Sequence, residues 1–195
     1  MTAWALGAAV STRLGLWVGL GCTAMVLGAA VSAREWAYLR HLLRPRAWHV
    51  VAGLLVGVGM TVATKLLYLP VADGLPVVAR DVAYLYGKLS EGGPLRWHLA
   101  VVLVPVILGE EVVWRGLVQG AAERRCGAAL AVPLAASMYA LAHAPVGSPS
   151  LVAAAFFCGL VWGTLRAFTG GLLAPLLAHL LWDAMILLVS PLLPR

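Results

Sequence analysis

Apolar residues run along this chain in blocks of about the length a bilayer demands, with the polar positions gathered between them. A hydrocarbon core about 30 Å thick needs about 20 helical residues to cross it. Runs of that size fall near 14–32, 50–69, 97–121, 128–145, 150–168 and 172–190. The first, with Arg13 before it and Val31-Ser32-Ala33 after it, imitates a secretory signal. Its length and the five runs that follow favour an uncleaved first helix. The pattern predicts an all-α, polytopic membrane helical bundle of about six transmembrane helices, a single membrane domain over residues 1–195.

The connectors refine this picture. Segment 33–49 is the most basic, with Arg34, Arg40, Arg44 and Arg46 against Glu35. Segment 70–96 is the longest and is charge-balanced. Within it Val77–Leu89 is apolar with scattered charge, as expected of a helix lying in the membrane interface. Counting alternate connectors places seven arginines on one side (34, 40, 44, 46, 124, 125 and 166) and three basic residues on the other (80, 88 and 96). The richer side should be cytoplasmic, with both termini and the loop Ala144–Pro149 facing outward. The Gly53/Gly57 spacing suits close helix contact.

Composition supports a membrane protein and excludes several partners. The 195 residues are 62% hydrophobic, with a mean hydropathy of +0.92. The net charge of +6 forms no basic patch interleaved with aromatics, so nucleic acid is not a partner; the arginines set topology and meet anionic lipid. Cys22, Cys126 and Cys158 have neither metal-type nor disulfide-type spacing. Twelve arginines against two lysines, with no asparagine, fit a GC-rich bacterial genome and hence a bacterial inner (cytoplasmic) membrane.

Three stretches interrupt the apolar runs with chemistry: Glu110-Glu111-Val112-Val113-Trp114-Arg115, Tyr139-Ala140-Leu141-Ala142-His143, and His179-Leu180-Leu181-Trp182-Asp183. They hold three of the eight acidic residues and two of the five histidines. An ionisable group at the centre of a membrane helix costs roughly 2.5–3.5 kcal/mol on insertion scales, so its retention points to a task. Helical residues four apart share a face. Glu111 and Arg115 are therefore neighbours that neutralise each other, and Glu110 points elsewhere without that partner. A carboxylate out of water is suited to general acid–base work, which makes Glu110 the candidate for activating water, with Glu111 and Arg115 as its scaffold. Tyr139 and His143 share a face, as do His179 and Asp183, where the carboxylate can fix the imidazole tautomer or stabilise its charged form. Two histidines and a carboxylate that converge can hold water, polarise a carbonyl and stabilise an oxyanion.

Each piece has a structural rival. Glu111–Arg115 is equally a buried ion pair that fixes packing. His143 alone reads as a hydrogen-bonded core residue, His179–Asp183 as interhelical glue, and Tyr139, Trp114 and Trp182 as packing. The joint occurrence on three spans favours an active site.

The ordered set Glu-Glu-x-x-x-Arg, aromatic-x-x-x-His and His-x-x-x-Asn/Asp resembles the CPBP family, over roughly residues 97–190. That family comprises CAAX prenyl proteases of the Ras-converting-enzyme type together with bacteriocin-processing and self-immunity proteins. The resemblance implies an intramembrane glutamic endopeptidase whose catalytic helices lie in 97–190. By that likeness Glu110 activates water with His143, and His179 and Asp183 help form the oxyanion site. Glu111 and Arg115 complete the first motif, with Tyr139 in support. No cofactor is implied, and with no HExxH in the chain zinc is not expected. The chain departs from the family twice: Tyr139 stands where Phe is common, and Asp183 where Asn is frequent. An ionised Asp cannot donate to an oxyanion, so Asp183 either carries a proton or serves His179.

The implied partner is a membrane-associated or exported protein within the lipid bilayer. An outward-opening site would suit relatives of the myxosortase type, thought to trim C-terminal sorting tails, whether or not the substrate carries a lipid. A rhomboid fits poorly, because Gly147-Ser148-Pro149 lies in a loop, and a presenilin type fails for want of Gly-x-Gly-Asp. Two other classes stay open: a non-enzymatic immunity or binding protein that uses the motif structurally, and a proton-coupled carrier.

Overall fold

The computed structural model describes residues 16–90 and 96–192. Arg13, Glu91 and the ends of the chain, with the start of the first expected span, lie outside the described residues. In order come α1 (Leu16–Leu42), α2 (Ala47–Gly74), α3 (Pro76–Ser90), α4 (Arg96–Glu110), a π-helical segment (Glu111–Val118), and α5 (Gln119–His143). A 3-10 turn (Ala144–Val146), α6 (Pro149–Thr169), α7 (Leu173–Asp183) and a second π-helical segment (Ala184–Val189) complete it. The described residues contain no strand.

The boundaries follow local chemistry. Pro45 stands between α1 and α2, where it biases its predecessor away from the helical region. Pro76 opens α3 at the position where a missing N–H costs nothing. Between α5 and α6 the chain reverses through Gly147 at φ 80°, a conformation glycine adopts without strain. Ser148 then caps α6, its Oγ accepting from the Leu151 N–H at 3.1 Å, with Pro149 in the first turn.

Among the described residues three helices are long and apolar enough to cross a membrane: Ala47–Gly74, Leu103–Val146 and Pro149–Thr169. Leu173–Val189 is apolar but shorter. The 44-residue path Leu103–Val146 holds most of the two spans expected at 97–121 and 128–145. Gly127, at φ 74°, breaks that path within α5.

Polarity is inverted relative to a water-soluble bundle. Val51, Leu55, Leu66 and Leu67 of α2, Val101 of α4, Leu130 of α5 and Phe157 and Phe168 of α6 face outward. Glu110, Glu111, Arg115, Gln119, His143, Arg166 and His179 are buried. Lipid solvates such an apolar exterior, and interior charges survive by pairing. The chain is an integral membrane protein.

The first π segment sits at the centre, against α1, α4, α5 and α6, and α7 packs against α2, α4 and α6. Gly53 and Gly57 let α2 and α7 touch. A Cβ on Gly53 would stand 2.6 Å from the Ala174 carbonyl oxygen, and one on Gly57 3.1 Å from that of Ala178. A second polar cluster ties α1, α5 and α6: Arg166 pairs with Glu123 and donates to the Tyr38 hydroxyl at 3.0 Å, while Gln119 donates to Glu123 and to the Gly163 carbonyl.

The helix expected to lie in the interface does form, as α3, but it does more than float. Asp81 accepts from the Ser148 hydroxyl at 2.9 Å and the Ser150 N–H at 2.7 Å, which fastens α3 to the start of α6. Val82 is buried beneath it.

Candidate active site

The first motif straddles a change of helix type. After Glu110 the ladder widens to i→i+5 bonding, as in the Gln119 N–H to Trp114 carbonyl bond. A π segment redirects side chains relative to an α-helix and is common at functional sites. Here it sends Glu111 and Arg115 inward together, with Arg115 Nη1 3.3 Å from Glu111 Oε1. Glu111 is 1% exposed, Arg115 2%, His179 2%, and Glu110 and His143 5% each, so none relies on bulk water.

Glu110 is not alone, as its position on the helix suggested. The Tyr139 hydroxyl donates to its Oε2 at 2.7 Å. Tyr139, expected to be packing, thus fixes the carboxylate, and its ring also lies under the Arg115 guanidinium at 4.5 Å. Four residues on, His143 closes α5. Its Nδ1 lies 2.8 Å from the Tyr139 carbonyl oxygen. A carbonyl only accepts, so Nδ1 donates and the lone pair of the neutral ring resides on Nε2.

His179 meets all three acidic groups. Its Nδ1 is 2.8 Å from Glu111 Oε1, while Nε2 is 3.8 Å from Glu110 Oε2 and 3.7 Å from Asp183 Oδ2. The carboxylate that orients the imidazole is therefore Glu111, on another helix, and not Asp183 four residues away. The distances to Nε2 exceed a direct hydrogen bond.

Glu110, Tyr139, His143, His179 and Asp183 line a single cavity of about 200 Å³. Val82, Leu85 and Tyr86 of α3, Val106 and Ile107 of α4, Leu151 of α6 and Ile186 and Leu192 form much of the rest. The lining thus combines ionisable and apolar side chains.

Three contributors escaped the motif reading. Trp162 stacks on His179, with ring centroids 3.6 Å apart and planes 19° from parallel, and it also faces Arg115 at 5.1 Å. Its only sequence signal is an aromatic among the small residues of 150–168. Cys158 lines the cavity one turn earlier. Tyr86 and its neighbours on α3 were masked by the interfacial reading, although Val82, Leu85 and Tyr86 recur at helical spacing. Trp182 donates through Nε1 to Thr64 Oγ1 at 2.9 Å and edges onto Trp162, whereas Trp114 is buried with its ring edge-on to Tyr139. Ser148 is occupied as a helix cap. Among the described residues no group of His, Cys, Asp and Glu is arranged to hold a metal ion.

Residues 92–185 match the family model described as Type II CAAX prenyl endopeptidase Rce1-like. The match covers the second half of the chain and all three motifs, and over that segment the CPBP resemblance stands. It supports protease activity of the CAAX type on membrane-associated protein substrates. No curated protein and no solved structure matches the chain.

Proposed function

We propose, from a chain whose residues 92–185 match the Rce1-like endopeptidases, an intramembrane glutamic peptidase acting as one membrane domain. The observation that carries it is the shared cavity of Glu110, Tyr139, His143, His179 and Asp183. Packing alone does not call for three motifs from separate helices to open onto one space.

Glu110 is the base. Its Oε2 is held by Tyr139, and a water beside it and His143 gives up a proton as its oxygen adds to the substrate carbonyl carbon. The C–N bond then breaks, and the proton passes from Glu110 to the departing amine. No covalent intermediate with the protein is formed. When His179 carries its second proton, Nε2–H is the donor to the oxyanion. The positive ring then lies on the Trp162 face, with Glu111 on one side and Glu110 and Asp183 on the other. Asp183, 3.7 Å away, serves as that ring's electrostatic partner and not as a second donor.

The substrate is a membrane-associated or exported protein cut near its C terminus, in a bacterial cytoplasmic membrane. The arginine asymmetry puts the His143 end of α5 on the outer face, which suits removal of a sorting tail. Reporter fusions should place Ala144–Pro149 outside; a cytoplasmic signal would withdraw the sorting-tail substrate.

Cys158 supplies the decisive control, because a thiol in the same cavity is the obvious rival nucleophile. Purified Glu110→Gln protein should not cleave a membrane reporter that wild type cuts, whereas Cys158→Ala should cleave at a rate within a factor of a few. The opposite pattern would replace the glutamate mechanism with a thiol one.

A further inference from the structure

Tyr86 and Leu192 of the cavity lining make contacts that the hydrolytic chemistry does not use. Lys65, half-buried on α2, donates from Nζ to the Ser190 carbonyl at 3.0 Å and bonds the Ser190 hydroxyl. The Tyr86 hydroxyl donates to the Ile186 carbonyl at 2.7 Å and accepts from the Leu192 N–H at 3.2 Å. Leu192 itself is part of the cavity lining. An irregular segment of chain, Ser190–Leu192, is therefore held by one ammonium on a main-chain carbonyl and one hydroxyl on a main-chain amide, with an apolar side chain turned into the cavity.

Those contacts are what a peptide-binding groove uses. A carbonyl acceptor and an amide donor two residues apart exist in any non-proline peptide, so recognition through them is independent of sequence. The side-chain requirement comes from the wall of Val82, Leu85, Ile186 and Leu187, which accepts an apolar group and penalises a charged one. Lys65 is well suited to the task. An ammonium inside a membrane helix is costly unless it has a partner, and the partner seen here is a carbonyl and hydroxyl that a bound peptide's oxygens can replace. Lys65 and Tyr86 both precede the segment that matches the family model.

We propose that Lys65 and Tyr86 form a main-chain-binding subsite for an extended peptide with an apolar side chain, which Ser190–Leu192 of the chain itself occupies in this structure. The inference rests on the peptidase reading above and deepens it: the substrate's backbone runs where Ser190–Leu192 lies, and the chain's own segment competes with it. A tethered competitor acts at an effective concentration on the order of millimolar, so a free peptide should bind the intact chain at least about tenfold more weakly than a chain without the segment.

Binding can be read without catalysis in a Glu110→Gln background reconstituted in nanodiscs. The probe is a fluorescein-labelled peptide with the sequence of residues 190–195, followed by anisotropy. Deleting residues 190–195 should tighten binding by about tenfold or more. Leu192→Asp in the full chain, which drives a charge out of the apolar wall, should do the same and guards against a truncation that misfolds. In the truncated background Lys65→Met and Tyr86→Phe should each weaken binding by about tenfold, the loss of one strong hydrogen bond. Unchanged affinity on truncation and on Leu192→Asp, or full affinity in Lys65→Met and Tyr86→Phe, overturns the subsite. Predicted binding with no cleavage of any reporter after Glu110 is restored would sink the peptidase reading and leave the subsite standing.

Discussion

Replacing Glu111 by Gln tests the proposed separation of scaffold from chemistry, because Glu111 and Glu110 are adjacent in sequence and are assigned opposite roles. Glu111 Oε1 accepts from His179 Nδ1 at 2.8 Å and faces Arg115 Nη1 at 3.3 Å. The terminal nitrogens of Arg115 make no hydrogen bond among the described residues, so its charge is balanced by Glu111 at the centre of the bundle. Removing one member of a buried ion pair costs about 3–5 kcal/mol, since the survivor keeps its desolvation penalty. Two aromatic faces soften the loss here. Tyr139 at 4.5 Å and Trp162 at 5.1 Å each offer about 1 kcal/mol to a desolvated cation. The net expectation for Glu111→Gln is a destabilisation of about 1–3 kcal/mol, or roughly 5- to 150-fold in the folding equilibrium. Glu110→Gln should cost less than about 1 kcal/mol, because the amide oxygen still accepts from Tyr139 and no buried cation loses its main partner. Unfolding of the two variants in mixed detergent–SDS micelles, followed by tryptophan fluorescence, measures both. Equal destabilisation of the two, or a Glu111→Gln protein within 1 kcal/mol of wild type, would refute the division of labour.

Other consequences follow from single contacts. Tyr139→Phe keeps the ring against Trp114 and His143 but removes a charge-assisted bond worth about 1.5–3 kcal/mol, so kcat should fall about 10- to 100-fold with KM nearly unchanged; an unaltered kcat would return Tyr139 to packing. Trp162→Leu should lower kcat by up to about tenfold through loss of the stack on His179, and Trp162→Phe should recover most of it. Equal losses in the two variants would argue for volume over stacking. Gly53→Ala places a Cβ 2.6 Å from the Ala174 carbonyl and should cost about 1–3 kcal/mol by forcing α2 off α7, read in the same unfolding assay.

Much of this was legible in the sequence, for reasons tied to particular residues. The three motifs stood out because charge in an apolar run is costly, and the i,i+4 rule correctly paired Glu111 with Arg115. The same rule found only one of the carboxylates around His179, Asp183 at 3.7 Å from Nε2. Local spacing proposes Asp183, but tertiary packing brings Glu111 to Nδ1, and no one-dimensional pattern encodes that crossing. Glu110 looked unpartnered for the same reason, since Tyr139 lies 29 residues away. The spacing of Gly53 and Gly57 did carry its meaning, because small residues four apart are read directly by a neighbouring helix. Gly127 falls between the two spans expected at 97–121 and 128–145. A glycine adopts the positive φ of that kink without strain, so one helix gives way to the next there. Segment 77–89 was seen as amphipathic, but the sequence does not say whether an apolar face meets lipid or a cavity. Val82, Leu85 and Tyr86 line the cavity while Val77 and Tyr84 stay exposed, so the helix has a face for each.

The most direct test compares cells carrying wild-type protein with cells carrying Glu110→Gln at matched membrane levels. Mass spectrometry of the C termini of membrane and surface proteins gives the readout. The account predicts that a small set of proteins keeps its tails only in the mutant, and those tails then name the substrates. Identical termini in the two strains, with the phenotype of the protein intact, would show that the cavity of Glu110, His143 and His179 serves binding or immunity and not hydrolysis.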